Sequence, residues 1–299
     1  MVYTYVIIAQ AILRGVFMNL PKFESDIMML NTQNNVPFLK YKVLESIPFI
    51  NHAFSTKLGG VSTGEFTSMN LALNRGDNPD SVVENYRIFC EAAGFDFNTL
   101  VASAQDHNTV VRKVTEENYG TGITKPRDIQ SVDALVTNRP NVTLVTYYAD
   151  CTPVFFVDKK LQVIALAHAG WRGTVGKICK NVIETMVQDY GSNTENIICC
   201  IGPAISKCCY EIDQVCYNEF ESTGGLDLEK IMISKSNGKY MADLLETNRQ
   251  VILSCGVPDE NITVSDVCTK CNSDLLWSHR ATNGHRGTMC AFMCINKKI

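Results

Sequence analysis

Residues 146–176, TYYADCTPVFFVDKKLQVIALAHAGWRGTVG, carry two apolar runs around a short polar segment, and the rest of the chain is organised around them. Cys151 to Val157 and Gln162 to His168 flank Asp158-Lys159-Lys160, a pattern that reads as two antiparallel strands joined by a tight turn. A register symmetric about Lys159 and Lys160 pairs Val157 with Gln162, and counting outward sets Cys151 opposite His168. Opposed side chains begin about 5 Å apart at Cβ. A thiolate and an imidazole on one face of this hairpin can therefore share a metal, at Zn–S and Zn–N distances of about 2.3 and 2.0 Å. The register depends on the turn: Lys-Lys is not a favoured pair for the primed two-residue turns, and a bulge would shift the pairing by one.

The chain has 299 residues and no linker-like or low-complexity stretch, which points to one domain. A formal charge of −4 with interspersed signs provides no basic stripe for nucleic acid, and no run is long and apolar enough to span a bilayer. Thirteen cysteines is an odd number in a chain too large to need a disulfide framework, so most read as reduced thiols of a cytoplasmic protein. Residues 1–17 lack the basic region and cleavage site of a secretory signal. Arg14-Gly15-Val16 can be encoded by a purine-rich string like a bacterial ribosome-binding site ahead of Met18. The expectation is a non-native or disordered extension over 1–17 and one catalytic domain over 18–299.

Several segments carry candidate chemistry. The Gly/Ser/Thr-rich stretch from Phe49 to Leu73 can gather backbone donors around an anion with Lys57 as counter-charge, or form a surface turn. Asn78 to Gly94 reads as a helix, with Pro79 in its first turn and Val82, Val83, Tyr86, Phe89 and Cys90 at helical spacing. His107, in the polar corner Gln105-Asp106-His107, is either a hydrogen-bonded structural residue or a ligand. Asp133 and Asp150 can orient a ligand imidazole, take a proton, or serve as turn or cap residues. Gly170-Trp171-Arg172-Gly173 leads into a helix ending at Gly191, a place for an anion or simply glycines that relieve crowding at a sharp corner. The pairs Cys199-Cys200 and Cys208-Cys209 lack the separation of a zinc knuckle, and strand neighbours point to opposite faces, which assigns at least one of each pair to the core. Cys268 and Cys271 have the CxxC spacing of a second zinc site, but no second CxxC or His pair stands in register with them. Arg280, His285 and Arg286 lie in a loop before the last apolar strand, as further anion contacts or a solvated turn.

The segments AFSTKLGGVS (53–62), SMNLAL (68–73), AQDH (104–107), SVDALVTNRP (131–140), ADCTPV (149–154), ALAHAGWRG (165–173), GPAISKCCYEI (202–212), DVCT (266–269), SHR (278–280) and RGTMCAF (286–292) occur in that order. In combination they resemble the YfiH-type proteins, also called laccase-domain or multicopper polyphenol oxidase proteins. The resemblance implies an α+β fold with mixed sheets packed together and helices outside. It implies a metal triad of His107, Cys151 and His168, with zinc as the cofactor. Three protein ligands leave the fourth position open, as in catalytic sites. The family's chemistry implies phosphorolysis of adenosine, inosine, guanosine or methylthioadenosine and deamination of adenosine, so the partners are purine nucleosides and phosphate. Catalytic candidates are then Cys151, His168, Asp133 and Asp150, and anion contacts Lys57, Arg172 and Arg280. The chain departs from the family at Tyr148, often Thr, and at Lys57, often Arg.

Two other readings stand beside this one. Cys151 as nucleophile and His168 as base would make a metal-free hydrolase, an amidase acting on peptidoglycan precursors. A nucleoside-binding protein without turnover would keep the pocket alone. Copper is compatible as a bound ion but not as a multicopper cluster, since such clusters take roughly ten imidazoles and the chain has five histidines.

Overall fold

The computed structural model describes residues 20–297, so the extension expected over 1–17 and the start expected at Met18 lie outside the described residues. The first half of the chain forms β1 (Met28–Gln33), β2 (Val36–Tyr41), β3 (Ile50–Ser55), α1 (Pro79–Ala93), β4 (Leu100–Ala102), β5 (Val111–Lys113), β6 (Ala134–Thr137) and β7 (Thr143–Tyr148). The central hairpin is β8 (Thr152–Asp158) and β9 (Val163–Ala169), followed by α2 (Trp171–Val175), α3 (Ile178–Tyr190) and β10 (Ile197–Ile201). The last third adds β11 (Glu211–Ile212), α4 (Gln214–Ser222), α5 (Leu228–Ile231), β12 (Met232–Ser234), β13 (Tyr240–Ala242), α6 (Leu244–Ser254), β14 (Ile262–Val264), α7 (His279–Thr282) and β15 (Met289–Ile295).

Two six-stranded mixed sheets result, in the orders β1-β2-β3-β15-β7-β4 and β14-β10-β8-β9-β6-β5, beside a small sheet β11-β13-β12. The large sheets pack on each other through Leu39, Tyr41, Phe54, Leu144, Tyr148 and Met293 of one and Leu135, Phe155, Val157, Ile164 and Leu166 of the other. The outer face of the first sheet, with Phe38, Ala53 and Phe292, is covered by Val82, Tyr86 and Phe89 of α1. The outer face of the second, with Val154, Phe156, Ala165 and Ile201, is covered by Ile178, Val182 and Met186 of α3 and Val251 and Ile252 of α6. This is the α+β arrangement with helices outside. Every position of β8, β9 and β15 is buried, because both faces of each strand are covered, and so these strands read as continuous apolar runs rather than alternating ones. No helix among the described residues is long and apolar enough to cross a membrane.

Local signals hold where side chains satisfy their own backbone. Asn78 accepts from the N–H groups of Asp80 and Ser81, Pro79 opens α1, and Gly94 closes it at φ 75°. Two expectations are corrected. The hairpin pairs Asp158 with Val163 and Pro153 with His168, so Cys151 does not lie directly opposite His168. The turn is longer than two residues: Asp158 Oδ1 accepts from the N–H groups of Lys160 and Leu161, and Gln162 turns at φ 55°. The register is thereby displaced by an even number of residues, which preserves which side chains share a face. The single helix expected from Gly173 to Gly191 is divided at Gly176 and Lys177, the latter at φ 60°. Two glycines within four residues weaken a helix there. Cys199 and Cys200 are both core residues, one facing the helices and the other the facing sheet.

Candidate functional site

Three separate segments bring one side chain each to a common point. His107 sits in the corner after β4, Cys151 just precedes β8, and His168 is the penultimate residue of β9. Their ligand atoms all lie within 4.8 Å of one another. Cys151 Sγ is 3.9 Å from His107 Nε2, and the two imidazoles meet edge to face with centroids 4.9 Å apart. As a diagonal neighbour across the hairpin, Cys151 reaches His168 despite the shifted register.

Asp133, fully buried just before β6, organises the other two positions. Its Oδ1 lies 2.7 Å from His168 Nδ1, which fixes that ring and leaves Nε2 facing the site. The same carboxylate accepts the backbone N–H groups of Asp106, His107 and Asn108 at 3.2, 3.1 and 3.0 Å. These bonds hold His107 at φ 70°, a left-handed conformation that costs a residue with a Cβ about 1–2 kcal/mol. Burial alone would raise the Asp133 pKa, and the bond to His168, its charge and the backbone donors bring it below the usual carboxylate value. Asp133→Asn is expected to leave the fold in place and weaken metal affinity about 10–100-fold, the usual effect of losing the partner of a ligand imidazole. Competition with a chromogenic chelator measures it, and unchanged affinity would show that the Asp133 bond does not support the site.

Gly170 is the fourth element of the geometry. A Cβ there would lie 2.7 Å from His107 Cδ2 and 3.2 Å from Cys151 Sγ, so the absence of a side chain lets both donors approach. Gly170→Ala is accordingly expected to displace the His107 ring and lower metal content by more than about tenfold, with the secondary structure seen by circular dichroism preserved. Retention of full metal content would contradict this packing account.

The local charges prepare the thiol. Burial pushes the Cys151 pKa up, but the His168 charge and hydrogen bonds from both histidines outweigh it and bring the value to about 6. Burial pushes His168 down, and the Cys151 and Asp133 charges raise it to about 9. A thiolate and two imidazoles at this separation form a fitting donor set for a borderline-soft divalent metal, and the Asp133–His168 bond provides its outer support. Cys151, His168 and Asp133 alone are also in the order of a nucleophile, base and orienting carboxylate.

The remaining expected residues are placed elsewhere. Asp150, at φ 82°, accepts from Thr269 Oγ1 at 2.6 Å and from the Arg280 N–H at 2.7 Å, so its carboxylate anchors the C-terminal loop; the imidazole-orienting contact belongs to Asp133. Lys57 donates Nζ to the Ser273 carbonyl and lies 5.7 Å from the Trp277 ring centroid, outside the residues lining the cavity at the three donors. Arg172 stacks 4.2 Å from the Trp171 ring centroid, and Arg280 donates to the Glu211 carbonyl. Both line a groove of about 970 Å³ with Tyr210 and Cys216, and none of the three donors lines it.

The cavity that contains His107, Cys151 and His168 is smaller, about 120 Å³, and its cations are Arg75, Arg127 and Arg286. The smaller cavity is the chemical site because a thiol and two imidazoles converge in it, whereas the larger groove, though it has charged residues, contains none of these three donors. Arg286 is 8 % exposed; its Nη1 donates to the Gly287 carbonyl and Thr288 Oγ1, while its Nε has no partner. Burial, then the Arg75 charge, lowers its pKa to about 10 against the opposing pull of Cys151 and Asp150. The sequence marked Arg286 only as a loop cation. Arg75 and Arg127 carry no signal of their own, being drawn into the site from loops distant in sequence.

The family model described as multi-copper polyphenol oxidoreductase laccase matches residues 51–296. The purine nucleoside phosphorylase YlmD of Geobacillus stearothermophilus is 36% identical over 240 residues, covering 80% of this chain and 88% of that protein. The crystal structure of YlmD from the same organism superposes with a TM-score of 0.85 at 33% identity, covering 90% of this chain and 100% of that one. The structure of the Bacillus licheniformis hypothetical protein YfiH superposes with a TM-score of 0.83 at 31% identity, covering 87% of this chain and 96% of that one.

Proposed function

This chain belongs to the multi-copper polyphenol oxidoreductase laccase family, whose YlmD and YfiH members share its fold, and from that membership we propose a zinc-dependent purine nucleoside phosphorylase. The substrates in this reading are adenosine, inosine, guanosine and methylthioadenosine, with deamination of adenosine as a second reaction. The observation that carries it is a three-donor site sharing one cavity with a buried arginine that has no carboxylate partner among the described ion pairs. Relatives named purine nucleoside phosphorylase support the same reaction class.

Each residue has a role that follows from its surroundings. His107, Cys151 and His168 would hold zinc, which supplies a Lewis acid beside the bound nucleoside. Asp133 keeps the His168 Nδ1 proton in place and so directs Nε2 toward the site. Arg286, with Arg75 and Arg127, attracts phosphate and holds it by charge-assisted hydrogen bonds near the reacting carbon. Phosphate oxygen then bonds to ribose C1′ as the C1′–N bond to the purine breaks, and the purine nitrogen leaves with the bonding pair and takes a proton. A volume of about 120 Å³ suits phosphate and the reacting end of a nucleoside, with the remainder at the cavity mouth. An unbridged thiolate ligand suits a reducing cytoplasm, and all thirteen cysteines are unbridged.

A multicopper cluster does not fit the histidines. His52 is buried with Nε2 accepting from the Tyr41 N–H, and His285 lies at the surface beside Glu65, so two imidazoles remain for the site with His279 outside it. The low Cys151 pKa favours one second reading, a hydrolase using Cys151, His168 and Asp133, possible only where the metal is dispensable. In that arrangement His107 would only help to stabilise the Cys151 thiolate, not bind a metal. Incubating the purified protein with adenosine, with and without phosphate, separates the readings. Adenine with ribose 1-phosphate indicates phosphorolysis and inosine indicates deamination. Absence of either product, with nucleoside bound but unchanged, would contradict the enzymatic proposal.

A further inference from the structure

We propose a second metal centre, distinct from the first, in which Cys208, Cys209, Cys268 and Cys271 hold a zinc ion through four thiolates. The four sulfurs lie within 4.8 Å of one another. Cys208 and Cys209 are 3.7 Å apart, Cys208 and Cys271 3.7 Å, and Cys209 and Cys271 3.5 Å. A tetrahedron with Zn–S bonds of about 2.3 Å has sulfur–sulfur edges of about 3.8 Å. A disulfide would instead bring two sulfurs to about 2.05 Å. Three mutually adjacent contacts of nearly equal length describe a face of such a tetrahedron, not a pairing.

The surrounding backbone fits a thiolate centre. Cys268 Sγ accepts the Ser206 N–H at 3.4 Å, the kind of outer bond that steadies a metal-bound sulfur. The expectation that at least one of Cys208 and Cys209 is core, from strand neighbours that diverge, is corrected here: Cys208 is exposed and Cys209 half-buried, in a turn closed by the Cys209 N–H to the Ser206 carbonyl. In a turn both sulfurs can face Cys271. Cys208 and Cys271 are exposed, which provides an entry path, while Cys268 is buried.

The centre would act as a clamp near the first site. Two segments distant in sequence meet in it, and each also grips the residue preceding Cys151. Ile205 donates its N–H to the Asp150 carbonyl at 3.0 Å, and Thr269 donates its hydroxyl to the Asp150 carboxylate at 2.6 Å. Fastening the 206–209 turn to Cys268 and Cys271 thus restrains Asp150 from both sides. None of the four cysteines lines the cavity at His107, Cys151 and His168, so metal at the two centres is independently removable.

Elemental analysis of the full chain purified without chelator tests this. The expected result is two zinc per chain, falling by half in the Cys268→Ser/Cys271→Ser double variant and by half in Cys151→Ser. Where the double variant fails to fold, the wild-type protein reloaded with cobalt answers the question. Its sulfur-to-cobalt charge-transfer band should match five thiolates per chain rather than the single one of Cys151, and X-ray absorption should show a sulfur-only shell at one of two cobalt sites. One metal per chain, with Cys208, Cys209, Cys268 and Cys271 all alkylated at once in the absence of chelator, would overturn the proposal. A disulfide among them in protein purified anaerobically and analysed without reductant would overturn it as well.

Discussion

His107→Asn is expected to lower metal affinity at the first centre by more than about 100-fold and to abolish metal-dependent nucleoside turnover, while leaving the fold intact. The magnitude follows because loss of an outer-sphere partner alone costs about 10–100-fold, and this change removes a direct donor from a set of three. Asparagine is the informative replacement because His107 stands at φ 70°, which asparagine tolerates and alanine does not without added strain. The backbone N–H that reaches Asp133 is retained, so the corner keeps its shape. A hydrolase built on Cys151, His168 and Asp133 would keep turning over without metal, its pH profile moved upward because His107 helps to lower the Cys151 thiol pKa. Equilibrium dialysis against buffered zinc, beside product assays, distinguishes the two, and unchanged zinc affinity would remove His107 from the site.

Arg286→Gln is expected to raise the phosphate KM about 10–100-fold, with little change in nucleoside KM. A hydrogen bond to a charged group contributes about 1.5–3 kcal/mol, which sets that range. The same variant should be as stable to heat as the parent or more so. Arg286 is 8 % exposed with Nε unpartnered, and a buried charge without a counter-charge costs stability that a neutral side chain does not. Opposite directions in function and stability mark a group retained for a ligand. An unchanged phosphate KM would place the anion elsewhere, and the Arg172 and Arg280 groove would become the next region to probe.

The sequence was most informative where the physics is local. The two strands, the α1 caps and the buried character of β15 are written in neighbouring residues, and the structure has all of them. The pairing register was not, because it depends on Asp158 bonding forward to Lys160 and Leu161, a side-chain choice that apolar patterning does not encode. The three candidate donors came from the hairpin and from the family resemblance together, since nothing local ties His107 to a strand more than forty residues later. Asp133 was legible as a carboxylate near the site, but only its bonds separate it from Asp150, which turns to Thr269 and the Arg280 N–H. Lys57, Arg172 and Arg280 were sensible cations in glycine-rich or loop settings. Their guanidinium and ammonium groups are drawn off by Trp171, Glu211 and Ser273, and charge alone in a sequence does not show such capture.

The most direct test of the account is inosine turnover by metal-stripped protein before and after zinc is restored, with phosphate present throughout. The account predicts no hypoxanthine from the stripped protein and hypoxanthine with ribose 1-phosphate once zinc returns. Full activity in the stripped protein, together with a covalent adduct trapped on Cys151, would contradict it.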